Sequence, residues 1–148
     1  MPFTKITENT TCDCLSSASE NSIDMFARKV RNSPELKEPD FKNNFERNRL
    51  PSDETNCDEV CGMHGVSFEI WNDKSKDVLL ERYKYTATIA RKYKNNLCVL
   101  KFREGSGMVK YTPEQAEYNE YHYDFYKSDD FSFAHCELVE MIKLTPNV

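Results

Sequence analysis

Apolar positions along the chain fall into short periodic runs. Ile23, Phe26, Ala27 and Val30 repeat at helical spacing behind Asn21 and Ser22, either of which can cap a helix, and Pro34 marks its end. Phe41 and Phe45, four apart between Pro39 and Pro51, predict another helical turn or two. Ser52 precedes acidic Asp53 and Glu54, which suit a helix N-terminus, and Gly62 suits the left-handed residue that closes one. Cys57 and Cys61 are thereby placed on a helix. Val66, Phe68 and Ile70 alternate with Ser67 and Glu69 in the period-two pattern of a strand, which Trp71-Asn72-Asp73 interrupts with two capping residues. Leu79, Tyr83, Thr86, Ala90 and Tyr93 advance in steps of 4, 3, 4 and 3, so residues 74–93 form the longest predicted helix.

The remainder reads as strands. Residues 97–103 and 108–111 flank Gly105-Ser106-Gly107 and predict a hairpin, while residues 121–126 and 136–144 supply further strand candidates rich in aromatic and branched side chains. Helices, then strand, helix and about four strands predict an α+β fold: short N-terminal helices, one longer helix, and a mainly antiparallel sheet of about four to five strands. A length of 148 residues suits one core. Residues 1–20 hold few large apolar side chains and no period, so they are expected to be a flexible arm ahead of a single domain over 21–148.

Composition adds exclusions. Four Gly and six Pro without a recurring unit remove collagen-like, linker-like and solenoid readings. Apolar runs stop at two or three residues, far below the roughly 20 that cross a bilayer, so no membrane span is expected. The first 14 residues carry one Lys and no apolar stretch, which predicts no secretory signal and a cytoplasmic location. In that compartment the six cysteines are expected as free thiols or metal ligands.

The cysteine spacing gives the sharpest site hypothesis. Cys57 and Cys61, at i,i+4 and followed by His64, project from one side of a helix with Cβ atoms about 5–6 Å apart, too far for a disulfide with each other but suited to chelation. Cys12 and Cys14 form a second pair. Together the four thiolates would complete a closed tetrahedral zinc site that fastens the arm to the domain, although neither pair has the C-x2-C spacing of ordinary zinc knuckles.

A second cluster lies in 118–126. As a strand it sets His122, Asp124 and Tyr126 on one face and Tyr121, Tyr123 and Phe125 on the other. A carboxylate beside an imidazole fixes its tautomer, so His122 and Asp124 are a candidate acid–base pair, with Tyr126 and His64 as further pocket residues. The plainer reading is a solvated face backed by an aromatic core. Glu104-Gly105-Ser106-Gly107 lacks the G-x-x-x-x-G-K-[ST] pattern, and no G-x-G-x-x-G, H-E-x-x-H, G-x-S-x-G or calcium loop occurs.

Charge is segregated along the chain: residues 1–73 carry net -6, residues 74–110 net +7 and residues 111–148 net -6. On the predicted long helix Lys76, Lys84, Arg91 and Lys94 fall within about 80° of one another, forming a basic ridge interleaved with tyrosines. Either acidic neighbours in the same domain balance it, or it holds an anionic ligand. Three functions follow. The leading one is a small binding or regulatory module that contacts a protein partner through charged surfaces without catalysis. The second is an enzyme acting on a nucleotide or phosphorylated ligand through His122 and Asp124. The third is an RNA or single-stranded nucleic-acid binder using residues 74–94, which a pI near 5.3 disfavours.

Overall fold

A computed structural model of the chain describes residues 1–31, 33, 35–89, 95–115 and 117–144. The elements run α1 (Thr4–Thr7), β1 (Met25–Val30), a 3-10 turn (Glu38–Phe41), α2 (Cys57–His64), β2 (Val66–Trp71), α3 (Lys76–Ile89), β3 (Asn96–Phe102), β4 (Gly107–Tyr111), β5 (His122–Lys127), a second 3-10 turn (Phe133–His135) and β6 (Cys136–Lys143). The fold is α+β with an antiparallel sheet of six strands in the order β4-β5-β2-β1-β3-β6, one strand more than the upper expectation.

The extra strand is β1, which the periodicity of Phe26, Ala27 and Val30 predicts as a helix. The pattern misleads because β1 is covered on both faces: Phe26 and Val30 enter the cluster inside the sheet, while Ala27 enters the one beneath α3. A strand buried on both sides loses its alternation, and helix and strand then look alike in sequence. Asn21 does bond forward, its side-chain oxygen accepting from the Ile23 and Asp24 amides at 3.1 and 2.9 Å, but the turn it makes leads into a strand.

The predicted hairpin between residues 97–103 and 108–111 is also absent. β3 pairs with β1 and β6, and β4 pairs with β5. Only residues 103–106 join β3 to β4, yet the two strands stand four positions apart in the ladder. On a flat sheet that separation is about 19 Å, whereas the link reaches about 17 Å even fully extended. It is not extended, because the Ser106 amide donates to the Arg103 carbonyl at 3.2 Å and Gly105 takes φ +83°. The sheet therefore curls until its two ends approach. Gly107 begins β4 where an added Cβ would lie 2.1 Å from the Tyr126 carbonyl oxygen, so only glycine fits the closure.

Curling creates an aromatic interior. Phe102 stacks on Phe125 with ring centroids 3.9 Å apart, and Phe68 meets both edge-on at 5.2 and 6.1 Å. On the convex side α3 buries Leu79 against Trp71, Leu97, Val99 and Leu144, with Tyr83 partly covered. The predicted stripe is thus half correct: Thr86 is exposed and bonds back to the Arg82 carbonyl at 2.9 Å, while Ala90 and Tyr93, like Pro34, lie outside the described residues. α2 starts at Cys57, capped by Asn56 accepting from the Glu59 amide, and continues through Gly62 to His64, with Gly65 as its cap.

The largest departure is at the N-terminus. Instead of a flexible arm, residues 1–20 pack Phe3, Ile6 and Cys14 against Cys61 and the ring of Tyr126. The Asp129 carboxylate accepts from the Thr4 and Lys5 amides and the Thr4 hydroxyl, and Ser19 bridges to Val109 along the outer edge of β4. Two disulfides, Cys12–Cys57 and Cys14–Cys61, lock this segment to α2. The two cysteine pairs do meet, but each sulfur bonds to one of the other pair, so no thiolate is left for the expected zinc site, and no metal-holding group occurs among the described residues. Cys98 and Cys136 are free, buried thiols.

The crosslinks are parallel, closing loops of 45 and 47 residues that almost coincide. With one in place the other closes only a small additional ring. Replacing one pair by serine is therefore expected to cost on the order of 2 kcal/mol and replacing both on the order of 6 kcal/mol, more than the two single losses combined. Urea midpoints of the two single and one double replacement check this, and simple additivity would contradict it.

Candidate binding cleft and the buried face of β5

β5 has the two faces its alternation predicts, but neither is solvated. Tyr123 and Phe125 point into the curled sheet, while His122, Asp124 and Tyr126 point outward beneath α2 and the N-terminal segment. Asp124 is 1% exposed and Tyr126 0%. Among the described residues, neither Asp124 oxygen nor the Tyr126 hydroxyl has a hydrogen-bond partner. The backbone is tightly closed over them: a Cβ on Gly65 would come within 2.7 Å of the Asp124 side chain.

Burial drives the ionisation of this cluster. It pushes the Asp124 carboxyl up to about 7, against the opposing pull of Thr112, Lys110 and Gln115, which face it without completing a hydrogen bond. Burial likewise raises Tyr126, reinforced by the charges of Asp124 and Asp58. His122 moves the other way, below the ordinary imidazole value, because burial disfavours its cation. Its Nδ1 lies 2.8 Å from the Thr112 hydroxyl and 3.0 Å from the Thr112 carbonyl oxygen. His122 and Asp124 therefore share a face without a hydrogen bond between them, and the expected acid–base pair is not assembled.

His64, itself 4% exposed, borders open space instead. Two clefts, of about 440 and 530 Å³, adjoin it, and neither is lined by His122, Asp124 or Tyr126. The first lies at one end of the curled sheet, between α1, the 38–46 segment and the chain leaving β5. Its floor is aromatic: Phe41 and Phe131 sit 5.5 Å apart, Phe41 and Phe133 also 5.5 Å, and Phe45 lies 4.5 Å from the His64 ring. Its rim is charged, with Lys5, Lys42, Lys127, Glu38 and Glu46.

The charges are partly committed. Lys127 pairs with Glu46, whose carboxylate also accepts from the Asn43 amide at 3.1 Å. Burial raises the Glu46 carboxyl, but the Lys127 and Asn43 bonds, helped by Lys5, outweigh it and hold it below the ordinary value. His64 is lowered by burial, with Glu46 pulling back, so a neutral imidazole faces the cleft near neutrality. The Asn43 side-chain amide fixes the His64 backbone by donating to its carbonyl oxygen at 3.1 Å.

Of the basic ridge, the described residues Lys76 and Lys84 line neither cleft. Lys76 pairs with Asp73 at 3.4 Å, Lys84 is half-buried on α3, and Arg91 and Lys94 lie outside the described residues. The aromatic floor escapes sequence reading because its members come from positions about 90 apart. The one signal was the pair Phe131 and Phe133, two apart after the polar stretch 128–130. Comparison with protein-family models, curated proteins and solved structures finds no match for this chain. Among the described residues, no helix is long and apolar enough to cross a membrane.

Asp124 gives a pH dependence of definite sign. Its folded value of about 7 exceeds that of an unfolded aspartate, so the folded state holds a proton that the unfolded state releases. The favourable contribution is complete below about pH 4 and is lost as pH rises through about 7. Asp124→Asn is expected to be more stable than the parent at pH 8, by on the order of 3 kcal/mol, and to lose that advantage toward pH 4. The difference between the two urea midpoints isolates this group from His64 and His122, which act in the opposite sense; a difference independent of pH would refute the assignment.

Proposed function

We infer that this chain is a binding protein whose ligand is a small amphiphile with an apolar or aromatic body and an anionic end. One observation carries the reading: a concave space of about 440 Å³ at the end of the curled sheet, floored by Phe41, Phe131 and Phe133 and rimmed by three lysines against two glutamates. The mouth of a barrel-like sheet is a favoured place for such sites, which combine an apolar lining with a few polar groups that fix orientation. Glu46 is already engaged by Lys127, which leaves Lys5 and Lys42 as the cations best placed to meet a carboxylate or sulfonate.

The binding-module reading of the sequence is retained in part, with a small molecule in place of a protein surface as its object. Catalysis by His122 and Asp124 loses support, since both are buried, unconnected to each other and away from the clefts. Nucleic-acid binding through the basic ridge loses support because, of its described cations, Lys76 is paired with Asp73 and Lys84 is half-buried. The two disulfides favour an oxidising compartment over the cytoplasm expected from the sequence.

Anilinonaphthalene sulfonate, whose fluorescence rises on entering an apolar site, tests the cleft directly. Stoichiometric binding to the folded protein is expected, weakened about fivefold to tenfold by Phe133→Ala, which removes part of the floor, and about fivefold by Lys42→Glu. Both replacements alter partly exposed side chains and should leave the thermal midpoint within a few degrees. Affinity unchanged in both variants would place the dye elsewhere and overturn the reading.

A further inference from the structure

We propose that the two clefts are halves of one groove for an elongated ligand and that Phe45 is the partition whose side chain sets the length admitted. The proposal rests on the ligand reading above and adds the shape of the ligand and its direction. The clefts adjoin through three shared residues, Asn9, Phe45 and His64. Phe45 stands between them 41% exposed, with its ring centroid 4.5 Å from that of His64. Its backbone is tied down, because its amide donates to the Met63 carbonyl at 2.9 Å, so the side chain can turn without the loop moving. A ring so largely exposed is cheap to rotate, since few contacts are forfeited.

Both halves offer an apolar path up to that ring. On the near side it is the phenylalanine floor; on the far side Leu50, Pro51, Val60 and Met63 line the wall. Charge gives the path a direction. The near cleft holds Lys5, Lys42 and Lys127 against Glu38 and Glu46, whereas the far cleft holds Arg49 against Glu8 and Glu54. An anionic head is favoured in the near cleft and disfavoured in the far one, so the uncharged tail is the part that passes Phe45. The ligand class is a linear monoanion with an aliphatic tail, such as a long-chain carboxylate.

Calorimetric titration of the full, disulfide-intact chain with octanoate, dodecanoate and hexadecanoate tests the partition. The parent should bind octanoate and gain less than about threefold in affinity on going to hexadecanoate. In Phe45→Ala the affinity should rise at least about tenfold from octanoate to hexadecanoate, whatever its value for octanoate, and in Phe45→Trp it should fall from octanoate to dodecanoate. Equal length profiles in the parent and both variants, with octanoate bound by all three, would overturn the partition and leave the near cleft as the ligand site. Failure of the parent to bind either octanoate or anilinonaphthalene sulfonate would overturn the ligand reading itself, and the partition with it. Urea midpoints of the variants matching the parent show that a lost affinity is not lost folding.

Discussion

The covalent fastening of residues 12 and 14 to α2 is the constraint on which the rest of the molecule depends. α1 is a single turn of four residues and could not hold its conformation alone, since helix nucleation is unfavourable and short helices are marginal in water. Pinned to α2, it presents Phe3 and Ile6 to the outer face of β5 and lends Lys5, Ile6 and Asn9 to the near cleft. One pair of bonds thus seals a core and builds the wall of a binding site.

The same closure accounts for the least comfortable part of the structure. Asp124 and Tyr126 lie under the lid formed by α2 and the N-terminal segment, with three polar atoms that find no hydrogen-bond partner among the described residues. An unsatisfied buried carboxyl group costs the fold stability, and proteins keep such groups only where surrounding interactions outweigh them. Here the crosslinks supply that surplus. The Asp124 carboxyl answers to its surroundings by holding its proton to about pH 7, which removes the charge that the site cannot solvate.

How much of this was legible in the sequence depends on how local each signal is. β2 was read correctly because Ser67 and Glu69 keep polar positions between Val66, Phe68 and Ile70, and α3 because Leu79 and Tyr83 share one face. The two-sidedness of β5 was legible too, from the alternation of His122, Tyr123, Asp124 and Phe125. What alternation cannot say is what covers each face, so the chemical face of β5 looked solvated when it is a second interior. β1 was missed for the same reason in reverse, its polar face having been replaced by Ala27 packed under α3. The cysteine pairs were rightly brought together, but spacing within a pair carries no information about partners 45 and 47 residues away. The cleft was invisible because Phe41 and Phe131 become neighbours only once the sheet curls.

That curl has a consequence for how the molecule comes into being. β3 and β4 are close in sequence yet cannot take their places until β1, β2 and β5 have filled the ladder between them, so most of the sheet must wait for distant parts of the chain. Both crosslinks, by contrast, lie wholly within the first 61 residues. They can be formed on the emerging polypeptide before any of β3 to β6 has left the ribosome. The oldest landmark in the finished molecule would then be its N-terminal clasp, and the barrel-like sheet would be assembled afterwards against a template already oxidised and fixed.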